Sequence, residues 1–300
     1  MKILNFGSLN LDYVYSVDHF VQAGETLSSI DLKEFSGGKG LNQTLALKRA
    51  GMDVYHAGAI GQDGMMLKEL LESENVHSEF VKVLYGNNRT GHAIIQKDQD
   101  GDNCILLYGG TNRNITQEMI DDVMEHFDQG DYLVLQNEIN NIPYLIQKAK
   151  EKGMVIVLNP SPMDDQLKEI SIDDLDLVIL NEIEAQMLLN CHAEGEELMN
   201  ALAHQYNETC FVLTLGKEGS CYIKGECRYI QKAYQVKAVD TTAAGDTFTG
   251  YYLAAICRGS HPQEALNEAS LASALAVTRK GAAPSIPYRH EVLDFKKMKE

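Results

Sequence analysis

The stretch "VDTTAAGDTFTG", residues 239–250, places two alanines, a glycine and an aspartate at the joint between an extended segment and an amphipathic one. Val236 to Val239 is typical of a strand or its end. From Thr247 onward, apolar residues recur at helical spacing and predict one buried helix face: Phe248, Tyr251 or Tyr252, Ala255 and Ile256. The joint is therefore predicted to be a helix N-terminus that follows a strand.

Short apolar runs recur outward from this joint, and most are separated by segments of helical periodicity. They are "KILNFG" (2–7), "VYHAGAIG" (54–61), "DYLVLQN" (131–137), "MVIVLNP" (154–160), "LDLVILN" (175–181) and "FVLTLG" (211–216). Buried parallel strands that alternate with crossover helices explain this pattern most simply. The sequence predicts an α/β fold with a doubly wound, mostly parallel sheet flanked by helices.

Polar or glycine residues follow most of these runs, for example Ser8 and Asn10, Glu138 and Asn181. In an open α/β sheet the ligand crevice lies beyond the carboxyl ends of the strands, so these residues are expected to meet there. Polar residues also end strands without any function, and each position by itself is open to that interpretation.

Two segments, 11–34 and 91–108, depart from the strand and helix alternation. The second, "GHAIIQKDQDGDNCILLY", is typical of two strands around an Asp-Gly turn. Together they predict a small β-sheet lid on a single domain that spans residues 1–300, and lids exclude water from reactive phosphates. An extra antiparallel edge of the main sheet is the alternative.

Charge and cysteine content limit the class of protein. A formal net charge of −17 argues against a general affinity for nucleic acid or an anionic membrane. The six cysteines form no CxxC pair, which favours reduced thiols and a cytoplasmic protein. The N-terminal apolar run is too short for a signal peptide, and no run reaches the roughly 18 residues of a membrane span.

Asp246 is the unexpected residue of the joint. Backbone N–H groups of Ala243, Ala244 and Gly245 at a helix N-terminus would form an anion hole suited to phosphate, which a carboxylate repels. If a phosphoryl group is transferred here, Asp246 would accept the proton of the attacking hydroxyl. The alternative is that Asp246 only caps its helix.

A second glycine-rich stretch is "FSGGKGLNQTLA", residues 35–46. It is not a GxxxxGK[ST] phosphate loop, and the chain contains no GxGxxG, which disfavours a nicotinamide oxidoreductase. Its glycines allow a ligand close to the backbone, and Lys39 and Asn42 add hydrogen-bonding groups. With Asn10, Asp12 and Glu138, they suit a polyhydroxylated ligand. An ordinary glycine turn is the alternative.

The motifs "GSLNLD", "GGKGLNQ", "VDTTAAGDTFTG" and "AVTRKGAAPSIP" (276–287) occur in order along the chain. In this combination the sequence resembles the ribokinase family of sugar kinases. The resemblance implies that Asp246 is the catalytic base and that residues 243–245 form the anion hole. It implies a sugar site made of Asn10, Asp12, Gly38, Lys39, Asn42, Glu138 and Asp246.

The resemblance also implies ATP, Mg²⁺ and K⁺ as cofactors. The nucleotide would contact Asn181, Thr214, Gly216, Gly219, Gly245 and Ser270, and Glu184 would hold Mg²⁺ through water. The ligands of a monovalent cation would be Asp240, Thr242, Ala276, Arg279, Gly281 and Ser285, several of them through backbone carbonyls.

The expected activity is ATP-dependent phosphorylation of the terminal hydroxyl of a small sugar, with D-ribose to D-ribose 5-phosphate as the first choice. Another pentose, a ketohexose or a nucleoside is the alternative substrate, and a non-catalytic sugar or nucleotide sensor is the alternative class. Leu41 and Ser270 depart from the residues usual in the family, and His92 and Asn112 bear on sugar choice. The resemblance further implies a homodimer formed through the lid.

Overall fold

The computed structural model describes residues 1–100 and 102–299. The strands of this part are β1 Ile3–Phe6, β2 Asn10–Ser16, β3 Asp31–Gly37, β4 Val54–Gly61, β5 His77–Leu84, β6 Gly91–Lys97, β7 Asn103–Tyr108, β8 Tyr132–Gln136, β9 Val155–Asn159, β10 Leu177–Asn181, β11 Cys210–Thr214, β12 Ser220–Lys224 and β13 Cys227–Gln231. The α-helices are α1 Lys39–Arg49, α2 Met65–Ser73, α3 Gln117–Met124, α4 Ile142–Lys152, α5 Glu182–Leu189, α6 Gly195–Gln205, α7 Ala244–Cys257, α8 Pro262–Ala276 and α9 Arg289–Lys299.

The main sheet has the strand order β13-β12-β11-β10-β9-β8-β1-β4-β5. Every pair from β11 to β5 is parallel, whereas β12 and β13 add an antiparallel edge. The six apolar runs of the sequence form β1, β4, β8, β9, β10 and β11. The predicted doubly wound, mostly parallel sheet is confirmed, and its parallel strands end at one common edge.

A separate four-stranded sheet has the order β3-β2-β6-β7. Strands β2 and β6 are parallel, and β3 and β7 pair antiparallel on the outside. The predicted small sheet is thus present, although Gly101 of the Asp-Gly turn lies outside the described residues. All of β7 is exposed.

Two apolar layers cover the main sheet. One contains α3, α4 and residues of α6 such as Leu198, and the other contains α7 and α8. Helix α7 is buried from Asp246 to Ala255, so the predicted single buried face is wrong. The reason is that α7 packs against both α1 and α8. This packing places α7 beside α1, the helix that carries Lys39.

The prediction of a strand at Val236 to Val239 is wrong. Residues 232–238 follow an irregular path after β13. The N–H groups of Val239 and Asp240 donate to Val277 O, at 2.7 and 3.2 Å. The backbone here bonds to the end of α8 instead of a neighbouring strand.

Among residues 1–100 and 102–299, no helix has the length and apolar character needed to cross a membrane.

Candidate active site

The loop after β1 and the start of α1 are in direct backbone contact. A Cβ on Gly40 would lie 2.3 Å from Ser8 N, so a side chain cannot fit there. Gly40 N donates to Ser8 Oγ at 3.1 Å, and Leu41 N donates to Ser8 O at 3.0 Å. Gly38, the N-cap of α1, has φ 95°, a value that favours glycine. The glycines of "FSGGKG" therefore bring the first turn of α1 against the loop after β1.

Asp246 lies in the first turn of α7 and its carboxylate faces α1. Asn42 Nδ2 donates to Asp246 Oδ2 and Gln43 Nε2 donates to Oδ1, both at 3.0 Å. The N-cap of α7 is Ala243, which makes no side-chain cap hydrogen bond. Asp246 thus accepts from a neighbouring helix, which is not the geometry of a residue that only caps its own helix. Its side chain is held in place at the buried edge of the crevice.

Glu138 follows β8 and joins the same cluster. Its Oε2 accepts from Lys39 N at 2.9 Å and from Ser8 Oγ. Burial raises the pKa of Glu138. Burial lowers the pKa of Lys39, but the negative charges of Asp246, Glu138 and Glu184 outweigh it, so the pKa of Lys39 is raised overall. The Lys39 ammonium therefore stays charged beside the carboxylates.

Asp12 of β2 lies at the base of the small sheet, close to Glu138. Burial, together with the charge of Glu138, raises the pKa of Asp12 to about 7. A Cβ on Gly37 would lie 2.1 Å from Asp12 Oδ2, so the glycine leaves the space that this carboxylate fills. Asp12 is a carboxyl group that changes its charge near neutral pH.

Asn112 fixes the side chain of Asn10. Asn112 Nδ2 donates to Asn10 Oδ1 at 2.7 Å, and Asn112 Oδ1 accepts from Leu9 N at 3.1 Å. Asn112 is 2% exposed. Asn112 therefore fixes the orientation of Asn10, which is predicted to bind the sugar.

Four of the predicted nucleotide residues lie at or just after the ends of β10 and β11, namely Asn181, Thr214, Gly216 and Gly219. Asn181 and Thr214 are opposite each other in the β10 and β11 pairing. Asn181 caps α5: its Oδ1 accepts from Glu184 N, and Glu184 Oε2 accepts from Asn181 N, both at 2.9 Å. Gly216 and Gly219 flank the turn after β11. Asn181, Thr214 and this turn therefore share one edge of the sheet.

The N-terminus of α7 contacts α1 through Asp246 and α8 through Ala244. Ala243 is 2% exposed, and Ala244 N donates to Thr241 O at 3.2 Å. Gly245 is exposed, and no atom of the described residues lies within 4 Å of the position that a Cβ would take. Ser273 Oγ of α8 donates to Ala244 O at 3.0 Å, and Ser270 lies one turn earlier on α8. Open space for an anion is thus found at Gly245.

The segment that contains Asp240 is tied to the loop after α8. Asp240 Oδ1 accepts from Thr242 N and Oδ2 accepts from Gly281 N, both at 3.0 Å. Burial raises the pKa of Asp240, but the hydrogen bonds from Thr242 and Gly281 outweigh it and lower the pKa overall. The Arg279 guanidinium is paired with Glu291 at 2.7 Å, so a cation ligand from Arg279 would have to be its backbone carbonyl. Ser285 Oγ donates to Ala282 O within the same loop.

Gln43 and Ser273 help to organise this site and are not among the predicted residues, whereas Ser8 and Gln136 were expected there only as polar residues at strand ends. Gln43 and Gln136 are both buried in the described structure. The sequence signal that could have identified them is a polar residue within a segment that is otherwise apolar.

Comparison with known proteins places these features in a family context. A sequence model described as pfkB family carbohydrate kinase matches residues 1–289. A ribokinase of Haemophilus influenzae is 33% identical over 300 residues, which cover 96% of each chain. The structure of Arabidopsis thaliana ribokinase complexed with ribose and ATP has a TM-score of 0.88 at 29% identity, covering 99% of this chain and 98% of that one. A Cryptococcus neoformans ribokinase in complex with ADP has a TM-score of 0.87 at 30% identity, covering 98% and 99%.

Proposed function

The chain belongs to the pfkB family of carbohydrate kinases, and on this basis we propose that it phosphorylates D-ribose to D-ribose 5-phosphate with ATP. The single observation that carries the proposal is the geometry at Asp246. A buried carboxylate, held at both oxygens, lies one residue from the exposed Gly245 at the N-terminus of a long helix. The proposed proton acceptor, Asp246, and the proposed anion site at Gly245 are thus adjacent.

In the proposed reaction Asp246 accepts the proton of the terminal sugar hydroxyl as that oxygen attacks the γ-phosphorus of ATP. The bond between the γ-phosphorus and the β,γ-bridging oxygen breaks, and ADP leaves. Asn42 and Gln43 donate to the carboxylate and hold it in one orientation. The start of α7, at Ala243 to Gly245, supplies N–H groups and the positive end of the helix dipole for the phosphoryl group. Lys39 offsets negative charge between Asp246 and Glu138.

The proposed sugar site combines carboxylates and amides that accept from and donate to hydroxyl groups. Its members are Asn10, Asp12, Gly38, Lys39, Asn42 and Glu138. They come from β2, α1 and the loop after β8. Glu138 accepts from Ser8 Oγ and Lys39 N, and Asn10 accepts from Asn112. Such a set suits ribose better than an apolar ligand.

The proposed nucleotide site is the adjoining edge of the sheet, at Asn181, Thr214, Gly216, Gly219 and Ser270. Thr214 lies beside Asn181 in the strand register, which supports a shared role. At Gly216 no described atom lies within 4 Å of the position that a Cβ would take, whereas a Cβ on Gly219 would lie 2.0 Å from Gln231 O. Gly216 is therefore the open side of this turn.

We also propose Mg²⁺ and K⁺ as cofactors, since the oxygen donors fit hard cations. Glu184 would hold Mg²⁺ through water with the carboxylate oxygen that does not accept from Asn181. K⁺ would take oxygens of Asp240, Thr242, Ala276, Arg279, Gly281 and Ser285, in segments already joined by the Gly281 to Asp240 hydrogen bond. When bound, these cations offset phosphate charge in a protein of net charge −17.

The small sheet, from segments 11–34 and 91–108 of the single domain, is proposed to serve as a lid and as the surface of a homodimer. Ile105, Leu106, Leu107 and Tyr108 of β7 are 52–67% exposed, and Ile94 of β6 is 37% exposed. Successive side chains of a strand point to opposite faces of the sheet, so Leu106 shares a face with Tyr108 and with its register partner Ile94. An exposed apolar patch of this kind is typical of a protein interface. Strand β7 is also an open edge to which a second copy could pair.

A cytoplasmic location is proposed from the cysteines. All six lie in the described residues and are free, as expected for a reducing compartment.

The proposed function is tested by ATP consumption with a panel of pentoses, ketohexoses and nucleosides, with Mg²⁺ and with K⁺ present or replaced by a bulky organic cation. Turnover on ribose that requires K⁺ is the expected result. Turnover on another sugar would keep the kinase proposal but replace ribose as the substrate. His92 and Asn112 would then be the first residues to explain the choice of sugar. Sugar or nucleotide binding without turnover across the panel would favour a sensor and overturn the kinase proposal.

The role of Asp246 is tested by Asp246→Asn, which keeps the shape of the side chain. We expect sugar binding to remain while turnover falls by about 10²–10⁴-fold, the usual contribution of a positioned general base. Near-normal turnover would show that Asp246 has a structural role only.

A further inference from the structure

A chain of buried amide groups connects the centre of the sheet to the Asp246 carboxylate. Gln43 Nε2 donates to Asp246 Oδ1 at 3.0 Å, and Gln43 Oε1 accepts from Gln136 Nε2 at 2.8 Å. Gln136 Nε2 also donates to Asn5 Oδ1 at 3.0 Å. Asn5, Gln43 and Gln136 are each 0% exposed. Solvent therefore cannot replace any of these hydrogen bonds.

The orientation of each amide in this hydrogen-bonded series follows from the groups at its two ends, Gly40 O and the Asp246 carboxylate. Asn5 Nδ2 donates to Gly40 O at 2.9 Å, and a backbone carbonyl can only accept. Asn5 must then present its oxygen to Gln136, and Gln136 must present its amino group to Gln43. Gln43 in turn presents its amino group to Asp246, and an ionised carboxylate also only accepts. The Gly40 carbonyl and the Asp246 carboxylate therefore require the same orientation of all three amides.

This orientation leaves one atom unsatisfied. Gln136 Oε1 is buried and has no hydrogen-bond partner among the described residues. A flip of the Gln136 amide would instead bring its oxygen against Asn5 Oδ1 and Gln43 Oε1. An apolar residue at 136 would leave Asn5 Oδ1 and Gln43 Oε1 buried without their donor, so the amino group of Gln136 is needed although its own oxygen stays unpaired in the described structure. The amide of Gln136 thus fixes the orientation of both neighbouring amides.

We propose that Gln43 is a positioning residue for phosphoryl transfer, oriented by Gln136 and Asn5, and that it holds the Asp246 carboxylate in the orientation that accepts the hydroxyl proton. The inference rests on the proposed kinase function. Gln43 lies beneath the site and is fully buried, so it acts through Asp246 and does not contact the sugar. Asn42 holds the other oxygen of Asp246, and the two residues together prevent rotation of the carboxylate.

The test is Gln43→Met, which keeps the length of the side chain and removes its amide. We expect kcat to fall on the order of 10- to 100-fold, the effect of losing one hydrogen bond to a charged group. KM for sugar and for ATP should change by no more than about twofold, because binding contacts are retained. Gln186→Met is the control, since Gln186 is a half-buried glutamine of α5 bonded to Ala193 O, and its kcat should be unchanged.

A second variant separates orientation from packing. Gln136→Met should lower kcat in the same direction but less, because Gln43 keeps its own hydrogen bond to Asp246. In the double variant the two effects should be non-additive, with kcat close to that of Gln43→Met. Additive losses, or an unchanged kcat in Gln43→Met, would overturn the inference.

A readout that does not depend on activity is the crystal structure of Gln43→Met. The Asp246 carboxylate should be rotated relative to the wild-type protein; an unchanged carboxylate would overturn the inference. If the wild-type protein phosphorylates no sugar, the proposed function fails, and the crystal structures still decide whether Gln43 orients Asp246.

Discussion

At the scale of single residues, Asp12 makes the stability of the protein depend on pH. Its pKa is about 7 in the folded protein, and the ordinary value near 3.8 applies to the unfolded chain. Between these values the folded protein binds the additional proton, so the free energy of unfolding falls as the pH rises from 4 to 8.

Asp12→Asn should remove this dependence. Relative to wild type, the variant should gain about 2–4 kcal/mol in free energy of unfolding between pH 4 and pH 8, from about 1.4 kcal/mol per pKa unit. Urea unfolding at several pH values measures it. Asp122→Asn, which changes an exposed carboxylate, serves as the control and should follow the wild-type curve. Parallel curves for Asp12→Asn and wild type would contradict the shifted pKa.

Sequence alone identified residues that meet at the crevice but not the residues beneath it. Ser8, Asn10 and Glu138 follow strand ends, and this position is visible in the alternation of apolar and polar segments. Asn5 lies inside an apolar strand, and its partner Gln136 is 131 residues away in the chain. Hydrogen bonds between residues so distant leave no periodic signal, and the roles of Gln43 and Gln136 could be recognised only in three dimensions.

At the scale of elements, Arg49 joins the C-terminal end of α1 to the loop that is proposed to bind K⁺. Its Nη1 donates to Ala283 O at 2.6 Å and to Ile286 O at 2.8 Å. Its guanidinium also pairs with Glu74; the two side chains are 8% and 13% exposed. One buried cation therefore fixes the distance between α1 and the segment after α8.

Arg49→Met should lower the free energy of unfolding by about 3–5 kcal/mol, because it leaves the largely buried Glu74 carboxylate without its cation, with the Tyr288 hydroxyl as its donor. Lys297→Met is the matched control: Lys297 pairs with Asp294 on the surface, and its loss should cost at most about 1 kcal/mol. Chemical denaturation measures both. Equal small losses would show that the Arg49 pair contributes no more than a surface pair.

The strands were easier to predict than the connections between them. Six buried apolar runs became strands because parallel strands covered on both faces are apolar throughout. The segment at Val236 to Val239 has the composition of a strand, but its N–H groups meet the end of α8. Composition describes what a segment can form, and the partner that completes its hydrogen bonds decides which structure it takes.

At the scale of the whole molecule, the exposed face of β7 predicts the assembly state. Leu106→Arg should convert the proposed dimer to a monomer, because it would bury a charge without a partner in the interface. Leu293→Arg is the control, since Leu293 is 43% exposed on α9, away from the small sheet. Sedimentation over a range of concentrations measures the change. A wild-type protein that remains monomeric at high concentration would contradict the proposed dimer.

The distance along the chain between α1 and α7 has a consequence for biosynthesis. Asn42 and Asp246, which bond to each other, are 204 residues apart. At roughly 5–20 residues per second, a ribosome takes about 10–40 s to make the intervening chain. Throughout that time the nascent protein lacks Asp246, its proposed proton acceptor. Under the proposed mechanism, catalytic competence therefore arrives late in translation, and we expect an aborted chain that ends before α7 to consume no ATP.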